Sequence, residues 1–126
     1  MGDQVFLVDD DTDDQEIFIM ALQEINPEIS CSVASNGVEA LEKLSEEPFY
    51  IPRYIFVDIN MHKMNGIECL EHIKKIDRLK NSQIIMLSTS ADESIVKQCK
   101  QLGADHFLAK PPGLTLLVEA LRKLIK

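Results

Sequence analysis

The sequence lacks several features that would each point to a large class of proteins. It has no run of the roughly 18–20 apolar residues that a membrane span needs, and its acidic start has no signal-peptide pattern. Its three cysteines, Cys31, Cys69 and Cys99, are isolated and match no metal-binding spacing. We therefore expect a cytoplasmic domain whose thiols are free, with no disulfide and no zinc site.

Positive charge is also scarce in this sequence. Thirteen Lys and Arg residues stand against 21 Asp and Glu, which gives a net charge of −8 and argues against binding nucleic acid or an anionic membrane. The length of 126 residues and a hydrophobic content of 45% are typical of one globular domain with a substantial core. We expect residues 1–126 to form a single domain with no output domain.

Five short apolar runs are typical of buried strands, and stretches of helical periodicity separate them. The second helical stretch, for example, has Val38, Leu41 and Leu44 on one predicted apolar face. Strands alternating with helices predict an α/β fold, a doubly wound (βα)5 domain whose parallel sheet is covered on both faces. The usual strand order of such a chain is 2-1-3-4-5. The predicted strands are residues 4–8, 30–34, 54–58, 83–88 and 105–109.

Polar side chains stand at the ends of four of these five strands. Asp9 and Asp10 follow strand 1, Asp58 ends strand 3, Ser88 ends strand 4 and Lys110 follows strand 5. Strands 1 and 3 lie side by side where the strand order reverses, and open α/β sheets bind ligands there. Three carboxylates from these two strands form an oxygen-rich site suited to Mg²⁺. A single polar residue at a strand end is usually only exposed to water. Four strand ends that all bring a polar group to the same edge of the sheet are hard to attribute to chance.

The segment "DDDTDD" at residues 9–14 raises an electrostatic question. Two carboxylates about 4 Å apart repel each other by roughly 4 kcal/mol at an effective dielectric near 20, so this charge needs compensation. We expect Asp13 and Asp14 to cap helix 1 and to interact with its positive end. Asp11 lies between these capping residues and the metal-binding pair Asp9 and Asp10, and its role is intermediate. An EF-hand loop is excluded, because its sixth and twelfth positions would be Asp14 and Met20 instead of Gly and Glu.

Four segments together resemble the response-regulator receiver domain of the CheY-like type, which has a flavodoxin-like fold. The resemblance covers essentially the whole chain, and it implies that Asp58 is the phosphoacceptor. It further implies that Asp9, Asp10, Asp58 and the backbone carbonyl of Asn60 bind Mg²⁺. The segments are "FLVDDD" (6–11), "FVDINMHKMNG" (56–66), "IIMLSTS" (84–90) and "FLAKPP" (107–112).

The same resemblance implies roles for three further residues. Ser88 matches the hydroxyl position of the family, Lys110 its signature lysine, and Phe107 its switch aromatic. Two positions depart from the family pattern: His62 stands where proline is usual, and Thr89 where alanine is frequent.

A receiver domain is a signalling phosphoacceptor and not an enzyme acting on other molecules. The resemblance implies self-catalysed transfer from the phosphohistidine of a sensor histidine kinase or histidine phosphotransfer protein, followed by slow autodephosphorylation. We expect output through a downstream protein target or a homodimer, at the surface of helix 4, strand 5 and helix 5. That surface spans about residues 91–126 and carries the basic residues Arg122, Lys123 and Lys126.

Two other functions compete with this interpretation. A receiver-like scaffold could dock a partner without phosphorylation, although such scaffolds generally lose an acidic ligand, the phosphoacceptor or the lysine. A haloacid-dehalogenase-type phosphatase also begins with paired aspartates after a strand. Its signature requires Gly and Thr three and four residues after the nucleophile, where this chain has Thr12 and Asp13.

Overall fold

A computed structural model describes residues 3–61, 63–90 and 92–125 as alternating strands and helices. His62 and Lys126, both named above, lie outside the described residues. Four strands have the predicted bounds, and the fifth begins at His106, one residue later than predicted. The elements are β1 (Gln4–Val8), α1 (Thr12–Ile25), β2 (Ser30–Ala34), α2 (Gly37–Glu46), β3 (Tyr54–Asp58), α3 (Gly66–Lys74), a 3₁₀ turn (Asp77–Leu79), β4 (Gln83–Ser88), α4 (Glu93–Gln101), β5 (His106–Ala109) and α5 (Leu114–Leu124).

The five strands form one parallel sheet in the predicted order β2-β1-β3-β4-β5. Strands β1 and β3 are therefore neighbours, with Val8 opposite Val57. On the other side of β3, Asp58 lies opposite Leu87 of β4. This register brings the carboxyl ends of β1, β3 and β4 to one edge of the sheet, where the predicted site residues begin.

Helices cover both faces of the sheet, as the doubly wound fold requires. One core cluster contains Phe18 and Leu22 of α1 with Leu121 of α5, packed on one face of the sheet. The other contains residues of α2, α3 and α4, among them Leu70 and Cys99. The three central strands, β1, β3 and β4, are apolar on both sides because they are buried between the two helical layers, whereas the edge strands β2 and β5 are partly exposed.

The predicted apolar face of α2 is wrong at one position. Val38 is 42% exposed, whereas Gly37, Ala40 and Leu44 are buried. At 3.6 residues per turn, Val38 lies about 100° around the helix from Gly37, which places it beside the buried stripe. Leu41, nearer to that stripe, packs partly against the core.

The helices α1 to α4 begin at polar side-chain caps, and the cap of α1 corrects a prediction. Asp11, and not Asp13 or Asp14, is the N-cap: its Oδ1 accepts hydrogen bonds from the backbone N–H of Asp13 at 2.9 Å and of Asp14 at 3.1 Å. Asp13 and Asp14 lie in the first turn, where the predicted interaction with the positive end of the helix remains favourable.

Asn65 caps α3 in the same way, and the glycine that follows it shapes the site. A Cβ at Gly66 would collide with the carbonyl oxygen of Asp58 and would lie 2.7 Å from the Cα of Ile59. Only glycine therefore allows α3 to begin directly against the end of β3. The backbone N–H of Gly66 donates to the carbonyl of Ile59 at 2.9 Å, which closes the loop after Asp58.

Candidate functional site

Three carboxylates converge at the edge of the sheet, as the strand order predicts. Asp9 and Asp10 follow β1, Asp58 ends β3, and each offers an oxygen atom within 4.8 Å of the others. Asp9 and Asp58 are buried, and Asp10 is partly exposed. A cluster of carboxylate oxygens that opens to solvent on one side is a donor set suited to a hard divalent cation such as Mg²⁺.

The burial of Asp9 makes its negative charge unfavourable. Burial raises the pKa of Asp9 to about 6, and the charge of Asp58 acts in the same direction. The backbone N–H of Asp11, which donates to Asp9 Oδ1 at 2.9 Å, and the ammonium of Lys110 offset part of this increase. At neutral pH the carboxylate is ionised but under-compensated, so added positive charge stabilises it.

Lys110 supplies a positive charge to the crevice that Asp9, Asp10 and Asp58 form at the ends of β1 and β3. Its backbone N–H donates to the carbonyl of Ser88 at 2.7 Å, which continues the pairing of β5 with β4 and fixes where the side chain starts. Its Nζ lies 3.0 Å from Asp58 Oδ2 and 3.3 Å from Asp9 Oδ2. Burial alone would lower the pKa of Lys110, but the hydrogen bond and charge of Asp58, helped by Asp9 and Asp14, raise it above its usual range.

Asp14 is a member of the site that the sequence analysis missed. Its Oδ2 lies 3.2 Å from Lys110 Nζ, although the two residues are 96 positions apart in the chain. One signal could have indicated it: α1 begins at Thr12, only two residues after Asp10, so its first turn must stay close to the edge of the sheet.

Asn60 and Ser88 lie on either side of Asp58. The backbone N–H of Asn60 donates to Asp58 Oδ1 at 3.2 Å, and Asn60 lines a shallow surface pocket together with Asp10. Ser88 is buried at the end of β4, next to the residue that pairs with Asp58, and its Oγ accepts a hydrogen bond from the N–H of Ser90 at 3.1 Å.

Phe107 lies away from the carboxylates, on the edge strand β5. It is half-buried, packs against the core cluster beneath α4, and pairs with Met86 of β4. It also lines a groove of about 530 Å³ between α4 and α5, which contains Lys100 and Lys123. Of the predicted basic residues at the end of α5, Arg122 and Lys123 are exposed.

The remaining predictions concern cysteines and membranes. All three cysteines are free, as predicted, and Cys69 and Cys99 are buried in the core. Across the part of the chain that the structure describes, no helix is both long enough and apolar enough to cross a bilayer.

Comparisons with known proteins give the family context of this geometry. The family model "Response regulator receiver domain" matches residues 5–122. The chemotaxis protein CheY of Thermotoga maritima is 36% identical over 129 aligned positions, which cover 100% of both chains. The phosphorylated cyanobacterial phytochrome response regulator RcpA has a TM-score of 0.89 and 25% identity, covering 98% of this chain and 91% of RcpA. The CheX–CheY–BeF3–Mg²⁺ complex of Borrelia burgdorferi has a TM-score of 0.82 and 28% identity, covering 98% of this chain and 90% of the matched one.

Proposed function

The chain belongs to the response regulator receiver family, and from this premise we propose that it accepts a phosphoryl group on Asp58. Receivers of the CheY type are phosphoacceptors in two-component signalling and not classical enzymes. The observation that supports Asp58 is its position: it is a buried carboxylate at the end of β3, 3.0 Å from Lys110 Nζ and within the carboxylate cluster.

The proposed donor is the phosphohistidine of a sensor histidine kinase or a histidine phosphotransfer protein. An oxygen of Asp58 forms a bond to phosphorus while the phosphorus–nitrogen bond breaks, and the electron pair of that bond stays on the imidazole. Transfer of this kind depends mostly on positioning and charge neutralisation, so the protein needs no further covalent chemistry. The product is an aspartyl phosphate.

The residues around Asp58 have distinct proposed roles. Lys110 holds a cation beside the transferred group, and Ser88 donates a hydrogen bond to a phosphoryl oxygen once that group is present. Asp9, Asp10, Asp58 and the carbonyl of Asn60 would hold Mg²⁺, which supplies positive charge to the phosphoryl oxygens.

The proposed output is a change in the surface formed by α4, β5 and α5. Ser88 ends β4 just before the loop that leads to α4, and Lys110 directly follows β5, the strand that contains Phe107. Movement of Ser88 and Lys110 toward a phosphoryl group should therefore alter the position of Phe107. The groove that Phe107 lines contains Lys100, Lys123 and one acidic residue, Asp105. Its excess of positive charge suits an acidic surface of a downstream protein or of a second copy of this chain. The phosphoryl group needs to favour the active form by only a few kcal/mol.

Small-molecule phosphodonors test the acceptor directly. Incubation with acetyl phosphate or phosphoramidate and Mg²⁺, followed by mass spectrometry of peptides, should locate one phosphoryl group on Asp58. Asp58→Asn should abolish the labelling, whereas Asp77→Asn, which changes an exposed aspartate of the 3₁₀ turn, should leave it unchanged. Undiminished labelling of a folded Asp58→Asn variant would refute the assignment. No labelling by either donor or by a histidine phosphotransfer protein would favour the phosphorylation-independent scaffold.

A further inference from the structure

The ammonium group of Lys110 is shared among three carboxylates. Its Nζ lies 3.0 Å from Asp58 Oδ2, 3.2 Å from Asp14 Oδ2 and 3.3 Å from Asp9 Oδ2. An ammonium group has three N–H donors and no acceptor, so each of its donors has a carboxylate partner. Phosphorylation turns the carboxylate of Asp58 into an acyl phosphate, and its phosphoryl oxygens then compete with Asp9 and Asp14 for the ammonium of Lys110.

The three carboxylates are not equally placed. The side chains of Asp9 and Asp58 are 3% and 6% exposed, whereas that of Asp14 is 46% exposed. Asp14 belongs to the first turn of α1 and stands outside the carboxylate cluster of β1 and β3. Water and salt screen its ion pair most strongly, because an exposed pair is in the highest dielectric. The contact with Asp14 is therefore the weakest of the three and the first to be released.

The surroundings leave space for such a change. Asp14 and Lys110 line the same cavity of about 330 Å³, which lies between α1 and the start of α5 and is bordered by Ile17 and Leu117. The contact between Asp14 and Lys110 therefore borders open space, and close packing does not hold the two side chains together on that side.

We propose that Asp14 is a positioning residue that restrains Lys110, and that a phosphoryl group on Asp58 releases Lys110 from this contact. The inference rests on the proposed function, because it concerns how Lys110 reaches the phosphoryl group. Asp14 holds one N–H of the ammonium on the α1 side of the crevice, and it therefore weakens the binding of the phosphoryl group. On phosphorylation its carboxylate becomes a free charge on the surface of α1.

The test compares two aspartates that are neighbours in the chain. Asp14→Asn removes one charge and the contact with Lys110. Asp13→Asn removes one charge from the same helical turn, at an exposed residue that makes no ion pair within the described ranges. Both variants are first shown to be folded by thermal melts. The affinity for beryllofluoride, a mimic of the phosphoryl group, is then measured by NMR titration in excess Mg²⁺.

We expect Asp14→Asn to bind beryllofluoride about two- to fivefold more tightly than the wild type, the range that corresponds to releasing an exposed ion pair. Asp13→Asn should change the affinity less. In a Lys110→Ala background the difference between the two variants should vanish, because the effect of Asp14 acts through the lysine. The ¹⁵N resonance of the Lys110 ammonium without metal should shift in Asp14→Asn and stay in place in Asp13→Asn.

Other outcomes separate the two proposals. Equal affinities of the two variants, or weaker binding by Asp14→Asn, would overturn the restraint by Asp14 and leave the proposed function intact. If the wild type itself binds no beryllofluoride with Mg²⁺ present, the proposed function is refuted and the release of Lys110 with it.

Discussion

Replacing Asp9 by Asn tests whether the carboxylate cluster is under-compensated in the metal-free protein. Burial raises the pKa of Asp9 from 3.8 to about 6. Ionised Asp9 therefore destabilises the folded state at neutral pH by about 3 kcal/mol, since each pKa unit corresponds to about 1.36 kcal/mol. Asn keeps the side-chain oxygen that accepts from the N–H of Asp11, but it carries no charge, so it removes this destabilisation.

The pH dependence gives the sign of this effect. Well below pH 4, Asp9 is protonated in both folded and unfolded chains and contributes no destabilisation. As the pH rises from about 4 to 6, the unfolded chain loses the proton first, so the folded state binds more protons and becomes less stable. Above pH 6 the destabilisation stays constant. The advantage of Asp9→Asn should therefore grow across this interval.

Urea denaturation in the presence of a chelator measures the difference. At pH 7.5, Asp9→Asn should raise the free energy of unfolding by about 3 kcal/mol, and at pH 5 by about half of that. Asp13→Asn, at an exposed position in α1, should change it little at either pH. An Asp9→Asn protein that is folded but no more stable than the wild type at pH 7.5 would refute the reasoning. Millimolar Mg²⁺ should narrow the gap, because it stabilises the wild type by mass action and binds the variant less well.

Two further predictions concern the loop after β3 and the output surface. Gly66→Ala should destabilise the fold by about 1–3 kcal/mol in urea, because its Cβ collides with the Asp58 carbonyl. Gly37→Ala should be milder, since the atoms nearest to its Cβ belong to the side chain of Met64 and lie 3.0 Å away, with no backbone atom among them; equal losses would contradict the steric argument. Beryllofluoride with Mg²⁺ should shift backbone NMR resonances of α4 and β5, including Phe107, as well as those near Asp58. Shifts confined to the neighbourhood of Asp58 would indicate a passive phosphoryl carrier without this output.

The sequence predicted the sheet well because its three central strands, β1, β3 and β4, are buried on both sides. Apolar runs bounded by polar residues give sharp limits, so four of the five strands match to the residue. The strand order then follows from the usual winding of a (βα)5 chain, and it alone places Asp58 beside Asp9 and Asp10. The carboxylate cluster was thus predictable without any side-chain geometry.

The roles within residues 9–14 could not be predicted in the same way. All five aspartates have the same intrinsic preference for caps and first turns, so residue type cannot rank them. Asp11 is the cap because its backbone is extended, with φ −99° and ψ 114°, immediately before the helix. The contact between Asp14 and Lys110 depends on how the first turn of α1 lies relative to the end of β5, a relation between segments far apart in the chain.

The structure answers the electrostatic question posed by residues 9–14, because the five aspartates have different surroundings. The N–H groups at the start of α1 compensate Asp11, the side chain of Asp13 is exposed, and Asp14 shares Lys110 with the crevice carboxylates. Asp9 and Asp10 stay with Asp58 in the crevice, where Lys110 is the cation nearest to Asp9 and Asp58.

A phosphoryl group on Asp58 would add further negative charge at the point where compensation is already weakest. Two sources of positive charge could meet that demand. A divalent cation fits the oxygen donors of the carboxylate cluster, and Lys110 can increase its own contribution by leaving Asp14. Both act in the same direction, toward Asp58. In the proposed mechanism, the Asp14–Lys110 ion pair therefore breaks when a phosphoryl group adds negative charge beside Asp58, and the ammonium of Lys110 then contributes more of its charge to the crevice.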